Sequence, residues 1–374
     1  MKIHWLVPLT VDKVLQFTSK NEMARALVEI GHTVTTLVAY QKNRVELNGF
    51  SEVTYVKTPP NSILNKIKFH YLMLLSILRS DADFILIGFQ AAHLLPLSRI
   101  IFFCRSRPKL IMDIRTIPVD ISNNIFGLVQ TARYKFSLIM ANYFSDGITT
   151  ITPMLAKSLK PSLKKTIKIG VWTSGVNLKQ FQRTGKNKRK SLGIKNNTNL
   201  IYHGVLSPNR GLQNALLAFK LLKKDFQNLK FLIVGSGKGE KGLKDLASQL
   251  NLENEIIFTG KVPYEEIPEY IRTANCGILP FPDINWWKVS SPIKLMEYLG
   301  VGISIVATDI EAHRSVINKT GGVVLSDNNT PECLADAISR ALTNKIRPSD
   351  ISILDQVISW KSQAIELTKF LSTV

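Results

Sequence analysis

The chain runs to 374 residues, 45% of them apolar, with 48 basic against 28 acidic side chains and a net charge of +20. That length is natural for two domains of middling size, each with its own core. The charge steers the chain toward polyanions (nucleic acid, anionic lipid headgroups or phosphorylated substrates), unless it is only a solvated lysine-rich surface. Three widely spaced cysteines (Cys104, Cys276, Cys333) argue against a disulfide framework and lack metal-ligand spacing, so a reduced, cytoplasmic setting is expected.

The opening MKIHWLVPLT reads as a first core strand, since a signal peptide needs a longer apolar stretch. Short apolar runs then recur between helical patterns: Ile3–Val7, Val34–Ala39, Phe84–Gly88, Leu110–Met112, Ile148–Ile151 and Ile167–Trp172. After a polar interval come Leu200–His203, Phe231–Val234, Ile256–Phe258, Gly277–Pro280, Ile303–Ala307 and Val323–Leu325. Such β-branched runs, apolar on both faces, mark parallel strands covered by helices on each side. Two successive sets predict two doubly wound, Rossmann-like α/β domains whose strand ends face one another across a cleft. The expected boundaries are 1–178 for an acceptor-side domain, 179–198 for a basic linker and 199–354 for a nucleotide-sugar domain, with a helix at 355–374 packing back on the first. From Gly147 to Lys224 there is no Asp or Glu but 16 Lys or Arg. No uncharged apolar run reaches the ~18 residues of a membrane span; Phe84–Ser98 is broken by Gln90, His93 and Pro96.

Open α/β sheets bind ligands at their strand-to-helix loops. A dinucleotide fingerprint is missing, because the turn Pro8–Lys13 has no glycine and Gly235-Ser-Gly237 continues without the remaining pattern. The informative stretch is Val289-Ser-Ser-Pro-Ile-Lys-Leu-Met-Glu-Tyr-Leu-Gly300. Ser290 or Ser291 reads as N-cap, Pro292 as first helical residue and Gly300 as the stop. The free N–H groups at the amino end, near Ser291 and Ile293, suit a nucleotide diphosphate. Glu297 could accept both hydroxyls of a ribose, or be an exposed residue paired with Lys294.

Several motifs together resemble the retaining GT-B glycosyltransferases of the large family four, which makes bacterial lipopolysaccharide, capsule and mannosyl glycans. They are Gly204-Val-Leu-Ser-Pro-Asn-Arg-Gly211, Ile233-Val-Gly-Ser-Gly237, Ile257-Phe-Thr-Gly-Lys-Val262 with Pro263–Pro268, and Ser291–Gly300, which is similar to the family's Ser-Pro-x-Lys subgroup. The resemblance is close over residues 200–310 and looser elsewhere, through Thr173-Ser-Gly-Val-Asn177 and Trp360. It implies that Glu297 holds the donor ribose and Arg210 the diphosphate. Gly204, Gly235, Lys261, Val262, Ser290, Ser291, Pro292 and Ile293 would complete the donor site. Arg115, in Met112-Asp-Ile-Arg-Thr116, would contact sugar or phosphate, or else pair with Asp113 or Asp120.

Three departures stand out: Val289 replaces the first glutamate of the family's pair, Val205 replaces an arginine, and the first βα turn lacks its glycines. The expected activity is transfer of a hexosyl-type sugar from a nucleotide-sugar donor to a glycan or lipid-linked acceptor in cell-surface polysaccharide or glycolipid synthesis. Retention by front-face displacement is expected, with no metal and no cofactor. The alternative is a weak or inactive GT-B protein acting as a regulatory or binding subunit. A nucleic-acid binder finds no motif or interleaved aromatics, and a nucleotide-sugar epimerase fits the Ser-Pro-x-Lys helix poorly.

Ile63, Leu64, Ile67, Tyr71, Leu74, Leu75 and Leu78 fall on one stripe of a helix ringed by Lys66, Lys68, His70 and Arg79. Leu97, Ile100, Ile101, Phe102 and Phe103, framed by Arg99, Arg105 and Arg107, look similar. Core packing is the favoured reading of the stripe, while the basic charge favours peripheral contact with an anionic inner membrane face.

Overall fold

The computed structural model describes residues 1–10, 14–41, 44–58, 63–101, 108–118, 125–344 and 350–374. Expectations at Phe102, Phe103, Cys104, Arg105, Arg107 and Asp120, and those for the side chains of Ile63 and Lys66, lie outside the described residues. The chain divides into two compact units: Met1–Gly175 with Val289–Ser291 and Trp360–Val374, and Val176–Lys288 with Pro292–Ser359.

The first unit is built on strands β1 (Lys2–Thr10), β2 (Thr33–Tyr40), β3 (Glu52–Lys57), β4 (Phe84–Gly88), β5 (Lys109–Ile114), β6 (Gly147–Thr150) and β7 (Lys168–Val171). Their order is 3-2-1-4-5-6-7, and the pairings are parallel. The helices between them are α1 (Val14–Glu29), α2 (Ile63–Arg79), α3 (Leu94–Ile101), α4 (Ile125–Phe144) and α5 (Pro153–Leu159). The run Ile85-Leu-Ile87 is wholly buried because β4 lies mid-sheet with helices on both faces. Sequence reading passes over β3, whose alternating exposure and lone Val-Tyr-Val apolar content are those of an edge strand. The terminal helix Trp360–Leu371 buries Trp360, Ala364, Leu367 and Leu371 in the core beside α1. It is separate from a preceding helix, Ile351–Ile358, where a single helix over 355–374 is the sequence expectation.

The second unit repeats the plan with β8 (Thr198–His203), β9 (Leu229–Val234), β10 (Ile256–Gly260), β11 (Cys276–Leu279), β12 (Ser304–Thr308) and β13 (Val324–Ser326), ordered 10-9-8-11-12-13. Helices α6 (Leu212–Leu222), α7 (Glu240–Gln249), α8 (Ile267–Thr273), α9 (Asn285–Lys288), α10 (Ile293–Val301), α11 (Glu311–Thr320), α12 (Pro331–Asn344) and α13 (Ile351–Ile358) cover it. Both sheets are thus parallel and doubly wound. In the second, the strand order reverses between β8 and β11, the place where such sheets open a crevice at their carboxyl ends. The polar stretch 180–198 carries no strand or regular α-helix before Thr198, yet Phe181 and Ile194 bury in this unit's core.

The stripe on α2 is oriented the opposite way to the favoured core reading. Leu64, Ile67 and Tyr71 are 75%, 60% and 58% exposed, whereas Phe69, Met73 and Ile77, four apart, are the buried row. Period alone cannot choose between two apolar faces of one helix; the smaller buried row wins because it is the one that meets the sheet.

Each unit also buries a histidine. His4 on β1 lies 2.7 Å from Thr35 Oγ1 and 3.1 Å from Ser76 Oγ, and His313 on α11 donates from Nδ1 to the Thr308 carbonyl at 2.7 Å. Burial pushes both imidazoles down to about 4. As pH falls below ~6.5 the unfolded chain takes up protons that the folded one refuses, so stability drops until the folded groups titrate near 4. Urea denaturation at pH 7 and pH 5 should show this decline, and His313→Leu should make it about 2 kcal/mol smaller. An unchanged decline would show that His313 is not buried neutral.

Candidate functional site

At the end of β8 the chain must turn sharply, and Gly204 does so with φ +113°. A Cβ there would lie 2.6 Å from Lys294 Cε. After β9, Gly235 (φ +135°) brings its own backbone against Gly204, so that a Cβ would sit 2.0 Å from the Gly204 carbonyl oxygen. Its N–H donates to Gly260 at 2.9 Å, which draws in the loop carrying Lys261, Val262 and Tyr264. Close backbone approach by three strand ends is what these two glycines supply.

Helix α10 begins at Ile293, with Pro292 as its N-cap at φ −83°, ψ 76° and no side-chain cap. This corrects the expectation that Ser290 or Ser291 caps it and that Pro292 is its first residue. Ser290 and Ser291 belong to the first unit, where Ser291 Oγ accepts from the Ser174 N–H at 3.1 Å. The helix ends at left-handed Gly302 rather than at Gly300. Gly300 lies inside it, and a Cβ there would come 2.8 Å from the Phe181 carbonyl oxygen.

Glu297 is 2% exposed, not a surface residue, and it forms no ion pair with Lys294 among the described residues. One carboxylate oxygen accepts from the Tyr264 hydroxyl at 2.9 Å, and the other lies 3.1 Å from His203 Nε2. The His203 ring is set edge-on to Tyr298, 5.2 Å away, whose hydroxyl donates to the Ile201 carbonyl. A carboxylate this deep is held in one orientation by the ends of β8 and of the Tyr264 loop.

One turn earlier, half-buried Lys294 stands over Gly204 with its ammonium 5.5 Å from the Tyr202 ring and 5.8 Å from Phe281. No hydrogen bond or ion pair holds it among the described residues. Burial, with the nearby Arg210 charge adding to it and Glu297 opposing it, pushes the ammonium down to about 7. Arg210 donates to Ser207 Oγ at 3.2 Å, and its guanidinium lies 4.9 Å from the Trp287 ring and 5.7 Å from Phe281. Phe281 and Trp287 stack at 4.6 Å, and Trp287 Nε1 donates to the Asn209 carbonyl. Two cations therefore share an aromatic wall above a glycine turn, a setting for a polyanion.

The structure brings together Gly204, Arg210, Gly235 and Glu297, with exposed Lys261 and half-buried Val262 in the adjoining loop. Pro292 and Ile293 open α10. Lys294 is the addition, read in the sequence only as a surface partner for Glu297; its place in Ser-Pro-x-Lys was the available signal. Tyr264 lies within the Pro263–Pro268 motif, whereas His203, Phe281 and Trp287 had no signal beyond residue type. Val289 is 8% exposed in the first unit's core, where its carbonyl accepts from Thr152 Oγ1.

Arg115 sits at the end of β5 in the first unit. Its Nη1 donates to the Trp172 carbonyl at 2.7 Å, and its guanidinium carbon is 3.3 Å from the Trp172 ring centroid. Among the described residues it makes no ion pair with Asp113; that carboxylate accepts from Thr149 Oγ1 and leaves its other oxygen buried without a partner. Burial lowers Arg115 to about 10 and Lys20 to about 8, and raises Asp113.

Residues 185–353 match the family of glycosyl transferases group 1. An uncharacterized glycosyltransferase of Methanocaldococcus jannaschii is 27% identical over 201 residues, 52% of this chain and 50% of that protein. The chain spans about half the length of the curated relatives it matches. Among solved structures, sucrose-phosphate synthase from Thermosynechococcus elongatus aligns with a TM-score of 0.75 at 15% identity, over 100% of this chain and 98% of that one. Anabaena HepE, in complex with UDP and glucose, aligns with a TM-score of 0.74 at 16% identity over 100% of both chains. These likenesses establish the fold, two Rossmann-like domains of GT-B type.

A lysine poised near 7 makes anion binding depend on pH. Above that value the free amine predominates, and the competent fraction falls about tenfold between pH 6 and pH 8. Calorimetric titration with inorganic pyrophosphate should show up to ~10-fold weaker binding at pH 8 beyond the ligand's own titration. Lys294→Met should remove that excess; if it persists in the variant, Lys294 is not the group responsible.

Proposed function

We propose that this chain is a glycosyltransferase that moves a hexosyl-type sugar from a nucleotide-sugar donor to a glycan or lipid-linked acceptor, at the cytoplasmic, anionic surface of a membrane. The observation that carries this reading is the pairing of Arg210 and Lys294 beside Gly204, one helical turn from the buried carboxylate of Glu297. It is supported by the group 1 match over residues 185–353 and by a neighbour of the same fold that binds UDP.

In this reading the second unit binds the donor. Arg210, Lys294 and the first N–H groups of α10 take the diphosphate, and Glu297, aimed by His203 and Tyr264, takes the ribose hydroxyls. Gly235 and the loop of Lys261 and Val262 lie toward the base. The bond from the anomeric carbon to the phosphate oxygen breaks as an acceptor hydroxyl attacks the same face. Its proton passes to the departing phosphate, and the configuration is retained. The two cations stabilise the leaving charge in place of a metal. Arg115, stacked on Trp172, is the first unit's candidate for the sugar or the acceptor.

The competing reading, a binding or regulatory subunit, draws on Val289, which puts an apolar core residue where the resemblance would place a carboxylate.

A thermal-shift screen of nucleotide sugars, followed by transfer assays, tests the proposal. Glu297→Gln should weaken UDP binding by about 10–100-fold, the worth of charged hydrogen bonds of ~1.5–3 kcal/mol, with circular dichroism unchanged. Arg210→Ala should lower kcat by about 100–1,000-fold. No stabilisation by any nucleotide sugar would end the transferase reading, and an inverted anomeric product by NMR would end retention.

A further inference from the structure

On the first unit a cavity of about 620 Å³ opens between α2, α3 and the middle of α4, at the side where Ile67, Tyr71, Leu97 and Phe136 stand 41–60% exposed. Its walls are apolar apart from His70, His93, Gln90 and Arg133. The two imidazoles lie 2.9 Å apart, Nδ1 of His70 to Nε2 of His93, and the Arg133 guanidinium donates to the Gln90 carbonyl. Burial lowers both imidazoles, His70 to about 4, with the Arg133 charge acting in the same direction. Arg133 is thus the charged group of the lining.

The three helices around it are basic, although Arg99 pairs with Asp146 just beyond α4. The sequences of α2, α3 and α4 contain Lys66, Lys68, Arg79, Arg99, Arg133 and Lys135 but no Asp or Glu. Large apolar side chains continue beyond the cavity, with Leu64, Ile100 and Leu128 at 75%, 72% and 67% exposure. Apolar surface of this extent marks an interaction site, and its basic surround selects an anionic partner. The walls favour a hydrocarbon over a peptide, whose backbone N–H and C=O groups would be left without partners in an apolar pocket.

We propose that this cavity takes one hydrocarbon chain of an anionic membrane lipid, with the lipid's phosphate at Arg133 and the exposed apolar residues of α2 and α3 entering the bilayer surface around it. The inference rests on the reading of the acceptor side as membrane-facing given above, and is independent of how the donor is held.

Dodecyl phosphate below its micelle concentration is the probe, with dodecyl maltoside and inorganic phosphate alongside, titrated calorimetrically into the whole chain. Dodecyl phosphate should bind at least 10-fold more tightly than inorganic phosphate. Ile67→Glu with Phe136→Glu, both at exposed positions, should weaken it at least 10-fold. Arg133→Gln should weaken dodecyl phosphate several-fold while leaving dodecyl maltoside unchanged. The same variants should lose sedimentation with phosphatidylglycerol vesicles at low salt and keep the parent's thermal shift with UDP. Dodecyl phosphate binding no better than inorganic phosphate, or as tightly to the double variant as to the parent, would overturn the proposal. So would sedimentation velocity showing that the double variant converts a dimer to a monomer, because the face would then be an interface between copies. Loss of the UDP shift in the parent alone would count against the transferase reading and leave the lipid site standing.

Discussion

Arg210 and Lys294 are two like charges drawn partly out of water at the carboxyl end of one sheet, and the rest of the second unit is arranged so that they stay there. Gly204 lacks the side chain that would collide with Lys294, and Gly235 lacks the one that would collide with Gly204. Phe281, Trp287 and Tyr202 give both cations aromatic faces in place of hydration. Such an arrangement is unfavourable in isolation: desolvation, with the Arg210 charge adding to it, takes Lys294 from its ordinary range to about 7. A bound diphosphate would reverse that penalty, so the strain is intelligible as preparation for an anion.

Glu297 answers the same constraint from the other side. A buried carboxylate needs polar partners around it: the Tyr264 hydroxyl donates to one oxygen of Glu297, and His203 Nε2 lies 3.1 Å from the other. Because His203 ends β8 and Tyr264 lies in the loop after β10, the carboxylate links those two elements to α10. Its orientation follows from the sheet order, since β8 is the strand at which the order reverses.

Much of this was legible before any coordinates. The twelve apolar runs all fall on strands, because parallel strands buried on both faces leave an unbroken apolar signature; only edge strand β3, half exposed, left none. The motif at Ser291–Gly300 located the helix but not its ends, since capping depends on where a hydroxyl finds its partner, and Ser291 finds Ser174 instead. Burial was the other blind spot. Lys294 and Glu297, three apart, look like a solvated surface pair, and tertiary packing sends one against the Gly204 turn and the other against His203. The α2 stripe failed in the reverse direction, because two apolar faces on one helix leave periodicity with no means of choosing the inner one.

The net charge of +20 becomes informative only when its members are separated by environment. Lys188, Lys223 and Lys369 pair with nearby glutamates, as surface lysines on any basic protein would. Lys20, Arg115 and Lys294 differ: burial depresses each of them, and none makes an ion pair among the described residues. Around α2, α3 and α4 the pattern is different again, with cations set among exposed apolar side chains and no carboxylate in the three helices. A genome biased toward lysine would enrich solvated positions without regard to neighbours. It would not withhold acids from three helices around one cavity, nor bury Arg115 and Lys294 without an ion pair among the described residues. The excess charge therefore includes two distinct settings, one desolvated at Arg115 and Lys294, the other set among the exposed apolar side chains of α2, α3 and α4.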